Sequence, residues 1–176
     1  MRFARDAAGA VSALFFPVEI ELLRLAVTQL LELLDAAGSH ALGASEDPAV
    51  RRLLPDAYRD DAEAAAEFRR FTAEGLIDRK EVNARTVLAA LGDAPAGGSL
   101  DDAGSDDDVP VAILLDDAAV QAWLRTLTDL RLTLAERLEI SPDGVQHLDA
   151  EEAPFLAGVY DWLGMVQESL VYAIDV

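Results

Sequence analysis

Two histidines, several adjacent carboxylates and one cationic helical stretch are the residues of this chain whose types and spacing offer chemistry. His40 follows Gly-Ser, and His147 sits in a polar turn after Ser-Pro-Asp-Gly. Neither has a second His three or four residues away, the helical spacing that places two imidazoles on one metal. There is no cysteine, so thiol nucleophiles and thiolate zinc sites are excluded. The pairs Asp60-Asp61 and Glu151-Glu152 stand where helices begin, and capping explains them without catalysis. Asp101, Asp102, Asp106, Asp107 and Asp108 offer oxygen ligands to a hard cation. They lack the alternation and closing Glu of a calcium loop and read as a solvated acidic loop. The glycines of AGGSLDDAG neither follow a strong strand nor open a helix, so they do not cradle phosphate. No catalytic, cofactor-binding or metal-binding residue is expected, and the chain reads as a non-enzyme.

The cationic stretch is different. Eight of the fourteen Lys and Arg residues lie between positions 51 and 85. At about 100° per residue, Arg69, Thr72, Leu76, Lys80, Asn83 and Val87 share one helical stripe. Arg69, Arg70, Lys80 and Asn83 are the candidate partner-binding residues, because guanidinium and ammonium groups pair with carboxylates, Arg in planar bidentate fashion. The competing reading is internal support. Glu63, Glu67, Glu74, Asp78 and Glu81 interleave with these cations, which also suit docking onto the chain's own acidic C-terminal part.

The elements that must position these residues are mostly helices. Over 17–36, Glu21, Arg24, Thr28, Glu32 and Asp35 recur at three and four residues while apolar residues fill nearly all else, leaving a thin wet stripe. Pro17 suits the first turn and Gly38 the end. Asp47-Pro48 opens a short helix through Leu54, and Asp60 with Glu63 makes a capping-box-like start for a longer one. Phe68 and Ile77 lie on opposite sides of that longer helix, so it either breaks near Gly75 or is buried on two faces. Over 116–138, capped by Asp116, the inward stripe is Val120, Trp123, Leu127, Leu130, Leu134 and Leu138, with Arg125 pairing to Asp129. Over 153–174, Phe155, Val159, Trp162, Leu163, Val166 and Leu170 go inside. Segments 2–5 and 10–15 flank a turn and read as a hairpin, and 111–115 reads as an edge or end strand beside Pro110. The expected fold is mainly α: one domain spanning 1–176, a bundle of five to six helices with a small accessory sheet, and an acidic flexible loop over 92–110.

Charge narrows the partners. The 176 residues carry a formal −19, with 33 acidic against 14 basic groups, and a chain of that sign is repelled by the phosphate backbone. Direct nucleic-acid binding is not expected. Charged residues interrupt the most apolar segment, so no membrane span is expected, and the absence of both cysteines and a secretory pattern points to the cytoplasm. The wide apolar helix faces serve either an intrachain core or a homodimer.

The phrases RLLPDAYRDDAEAAAEFRRFT (52–72), LIDRKEVNARTVLAAL (76–91), DDAAVQAWLRTLTDLRLTLAERL (116–138) and YDWLGMVQESLV (160–171) resemble the AosR-like family of actinobacteria, a domain-of-unknown-function family of oxidative stress regulators. The resemblance spans almost the whole chain outside the acidic loop. It implies a non-enzymatic transcriptional regulatory protein that contacts a sigma factor or RNA polymerase rather than DNA. An adaptor or accessory factor in Clp-dependent proteolysis is the alternative it implies. It does not carry over a thiol switch, since this chain has no cysteine.

Overall fold

A computed structural model describes residues 1–7, 9–39, 47–58, 60–92, 109–141, 143–148 and 150–175. His40, the five clustered aspartates between 101 and 108, and nearly all of the acidic loop lie outside the described residues. The chain runs β1 (Arg2–Arg5), β2 (Val11–Phe15), α1 (Pro17–Ser39), α2 (Pro48–Leu53), α3 (Ala62–Gly92), β3 (Val111–Leu115), α4 (Asp117–Arg137) and α5 (Ala153–Asp175). This is the mainly helical fold with a small accessory sheet that the periodicities predict.

The three strands form an antiparallel sheet in the order β1-β2-β3, with Phe3 opposite Ala13 and Ala13 opposite Ile113. Alternation sends Phe3, Val11, Ala13, Phe15, Ile113 and Leu115 into the core, while Leu14 and Leu114 face outward. Gly9, at φ +89°, supplies the left-handed residue the hairpin turn requires. Each outer strand has its own protection. The Phe3 amide on β1 donates to Ser169 Oγ of α5 at 3.1 Å, and β3 starts just after Pro110. Phe3, Phe15 and Trp123 of α4 close the sheet against the helices, with ring centroids 5.6 to 5.8 Å apart.

The helix starts follow the capping chemistry. Glu19 accepts from the Phe16 amide at 2.9 Å ahead of Pro17, and Asp116 accepts from the Ala119 amide at 2.7 Å. For α3 the cap is Asp61, which accepts from the Ala64 amide at 3.0 Å, rather than Asp60. Helix α1 continues through Gly38 to Ser39.

Three expectations about helix faces change. Helix α3 neither breaks at Gly75 nor is buried on two sides: Ala65, Ala73, Ile77, Ala84, Val87 and Leu91 make a single buried face. Phe68 stays outside, covered in part by Tyr58 at 6.0 Å between ring centroids. Helix α4 is more enclosed than its apolar stripe suggests, because Ala122, Thr126 and Asp129 are buried as well. It packs against α1, α2, α3, α5 and β3, so it is the central helix, and Leu134 packs partly buried on the core while lining a groove. On α5, Phe155 is exposed, and on α1 the exposed side includes Val18 and Leu25.

Asp47 fastens α2 to the end of α4. It accepts from the Ala49 amide at 2.9 Å and takes both terminal nitrogens of Arg137, at 3.1 and 2.6 Å. The Arg137 hydrogen bond holds its carboxyl below the usual value of 3.8, against a smaller opposing effect of burial. A lowered folded pKa contributes stability that is present above about 3.8 and lost as pH falls through the folded value. Asp47→Asn keeps a capping oxygen and loses the ion pair. Its unfolding free energy at neutral pH should fall by about 1 kcal/mol, and that deficit should vanish in acid, as followed by urea titrations across pH.

Candidate functional site

The cationic stripe of α3 faces α4, and the contact builds an open groove of about 470 Å³. Its lining includes Arg79, Lys80 and Asn83 from α3, Arg125 and Thr128 from α4, and Gln167 from α5. A second recess of about 560 Å³ shares Thr128 and Gln167 with it and adds Arg52, Arg131 and Tyr160. The two recesses adjoin at α4, and their linings hold five cations, Arg52, Arg79, Lys80, Arg125 and Arg131, with one carboxylate, that of Asp129.

These cations fall into two groups. Lys80 donates to Asp129 at 2.6 Å, and the side chains are 20% and 6% exposed, so this is an internal ion pair between α3 and α4. Arg52 is paired with Glu136 and also donates to the Ile140 carbonyl at 3.3 Å. Arg79, Arg125 and Arg131, by contrast, meet no carboxylate among the described residues. Arg79 and Arg125 are exposed. Arg131 is held by neutral groups: it donates to Gln167 Oε1 at 3.0 Å and Tyr160 Oη at 3.4 Å, with its guanidinium carbon 5.0 Å from the Tyr160 ring centre. Gln167 in turn donates to Thr128 Oγ1 at 2.8 Å. The side chain lies against Gly164, where an added Cβ would sit 3.6 Å from the guanidinium carbon. A guanidinium oriented by uncharged neighbours keeps its charge available for an incoming carboxylate.

The four candidate residues separate. Lys80 and Asn83 line the groove, with Lys80 committed to Asp129. Arg69 lies outside it and pairs with Asp56 of the α2–α3 connection. Arg70 follows by one residue, about 100° further round the helix, and is exposed on another flank. The expected Arg125–Asp129 pair does not form, because Asp129 is on the buried side of α4 and Lys80 reaches it.

Sequence reasoning missed Arg125 and Arg131, although residues 111–176 contain only three basic residues among twelve acidic ones. The usable signal was the phrase YDWLGMVQESLV. Its Tyr160, Gly164 and Gln167 fall on one stripe at spacings of four and three and cradle Arg131, while its Ser169 caps the edge of β1. His147 is exposed, and Glu151 and Glu152 are exposed just ahead of α5. Among the described residues no three His, Asp or Glu side chains converge on a common point, and no helix is long and apolar enough to cross a membrane.

Fold and groove together define a helical protein with a small sheet buttress and a cation-lined groove. The chain belongs to the family described as Domain of unknown function (DUF2017), whose model matches residues 1–174. It is similar to the oxidative stress regulator AosR of Mycobacterium tuberculosis (strain ATCC 25618 / H37Rv), at 35% identity over 143 residues, covering 73% of this chain and 58% of the relative. It is also similar to the putative oxidative stress regulator AosR of Mycobacterium leprae, at 30% identity over 143 residues, covering 73% of this chain and 59% of that protein. The chain thus spans under two thirds of the length of the curated relatives it matches. No solved structure matches it significantly.

The internal pair has a measurable signature. Burial raises the Asp129 pKa above 3.8, and Lys80 only partly offsets this. A raised folded pKa contributes stability that is full below about 3.8 and lost as pH rises through the folded value. The unfolding free energy of the native chain relative to Asp129→Asn should therefore grow as pH falls through that window. At neutral pH, Lys80→Met leaves a buried carboxylate unpaired and should cost about 3–5 kcal/mol, while Lys80→Met combined with Asp129→Leu should recover most of it. Additive losses in that double-mutant cycle would show that the two groups are not coupled.

Proposed function

We propose that this protein is a non-enzymatic regulator in the oxidative stress response. It acts on transcription by contact with a sigma factor or RNA polymerase, and its guanidinium trough receives carboxylates of that partner. The observation that carries the reading is the set of Arg79, Arg125 and Arg131, cations that meet no carboxylate among the described residues of a chain of net −19. In such a chain intramolecular acid is abundant, so a guanidinium left unpaired in a concave site is available for an external anion. The names of the relatives supply the physiological setting. The net charge argues against direct DNA reading, because counterion release requires cations spread over an extended face. With no cysteine in these 176 residues, a disulfide switch cannot reside in them, and control passes to the amount of protein or to its partner.

The test is co-purification of the tagged chain with RNA polymerase and sigma factors from a native lysate, repeated with Arg79→Glu combined with Arg125→Glu. The native chain should retain the polymerase or a sigma factor. The variant, with an unchanged unfolding midpoint, should retain at least tenfold less. Recovery of Clp subunits in place of polymerase would replace this reading with the proteolysis adaptor, and equal recovery by the variant would remove the groove as the contact.

A further inference from the structure

The geometry points to a second docking surface, of opposite polarity, on the other flank of α4: an apolar trough between α1 and α5 that takes a basic amphipathic helix from a partner protein. This inference does not depend on the function proposed above. The trough encloses about 290 Å³, with Leu134 in its floor, Leu22, Leu25 and Leu33 on one wall and Phe155 and Leu156 on the other. One residue on each wall is presented rather than packed away, Leu25 at 56% and Phe155 at 65% exposed, while Leu22, Leu33 and Leu156 are half-buried. The α1 wall continues to Val18, which is 71% exposed. Positions 18, 22, 25, 29 and 33 follow one another at spacings of four, three, four and four, the period of a helix face built to be covered. All but Gln29 are apolar. Helices α1 and α5 both pack on α4, which leaves a slot between them over its surface. A slot with staggered apolar walls accepts the anchors that a helix presents at i, i+3 or i+4, and i+7.

Charge selects the occupant. Glu32 precedes Leu33 on one wall, and Glu151 and Glu152 stand at the head of the helix that carries Phe155. All three are exposed and meet no cation among the described residues. Arg137, the cation in the lining, is committed to both oxygens of Asp47. A helix seated here is therefore flanked by acid and needs Lys or Arg beside its apolar stripe. A second copy of this chain would bring the same acidic edges and another net −19, so like charges would oppose a homodimer through this face.

The probe is a labelled sixteen-residue synthetic helix with leucine at helical anchor positions and lysine elsewhere. It is compared with a peptide of equal charge whose leucines are serine, using fluorescence anisotropy at physiological salt. The leucine peptide should bind the full chain at least tenfold more tightly than the serine peptide. Leu25→Glu combined with Phe155→Glu should lose at least tenfold in affinity even though it adds negative charge, and Leu25→Ser with Phe155→Ser should do the same should the charged variant unfold. Arg79→Gln with Arg125→Gln, on the other flank, should bind within twofold of the native chain, which separates this site from the guanidinium trough. Equal binding of the two peptides would mean that charge alone is being read and would overturn the proposal. So would undiminished binding by the trough variants, or a native dimer in sedimentation that the trough variants render monomeric.

Discussion

Almost every element of this protein is held in place by the burial of α4. Trp123 on its first turns meets Phe3 and Phe15 of the sheet, Leu127 and Leu130 fill the centre of the bundle, and Asp129 lies on the side that α3 covers. Each fully buried large apolar side chain there contributes about 1.5–3 kcal/mol, so the hydrophobic contacts set the stability. The ion pair between Lys80 and Asp129 sets something different. A buried carboxylate is tolerated only where its partner can reach it, so α3 must lie on α4 with Lys80 level with Asp129. That alignment shapes the groove lined by Arg79, Lys80 and Asn83, and α4 also supplies part of the lining of the recesses beside it.

The same arrangement distributes the charge. Six of the fourteen basic side chains are committed to carboxylates among the described residues: Arg137 closes α2 onto α4, Lys80 meets Asp129, Arg52 meets Glu136, Arg69 meets Asp56, Arg85 meets Glu81 and Arg24 meets Glu21. Arg79 of α3 and Arg125 and Arg131 of α4 meet no carboxylate among the described residues and line the two adjoining recesses. The opposite side keeps apolar side chains and exposed glutamates. A molecule of net −19 thus carries recesses lined by cations and a trough lined by apolar side chains, although the total charge describes neither.

Much of the fold was legible in the sequence because its signals are local. Pro17, Asp47-Pro48 and Asp116 mark helix starts through backbone chemistry that operates within four residues, and the strands at 2–5 and 111–115 announce themselves by turn residues and a flanking proline. The failures share a cause. Pairing Arg125 with Asp129 is sound for an isolated helix, but an isolated helix has no Lys80 from a neighbour, and tertiary proximity outcompeted the i,i+4 pair. Placing Phe155 inside carries the α5 stripe one turn too far: Val159, Leu163, Val166 and Leu170 are buried, but Phe155 lines an open trough. Of the candidate site, Lys80 and Asn83 were found by stripe position alone. Arg125 and Arg131 were not, because what makes them notable is the absence of a carboxylate nearby, and no linear spacing encodes an absence.

The two ranges of electrostatics operate separately in such a molecule. At physiological ionic strength the Debye length is about 8 Å, so an approaching partner senses the summed negative field only within a few side chains of contact, before it meets any single residue. That field favours encounter with a basic surface and disfavours nucleic acid. Inside the trough the distances are those of hydrogen bonds, and there the guanidinium of Arg131, fixed by Tyr160 and Gln167, outweighs the remote acid. Under the function proposed above, a partner suited to both ranges would present net positive charge overall together with a few carboxylates at the point of closest contact. Such a pattern is selective because few surfaces meet both conditions: a uniformly basic protein is attracted and then finds no pair for the arginines, while a uniformly acidic one is turned away before it arrives.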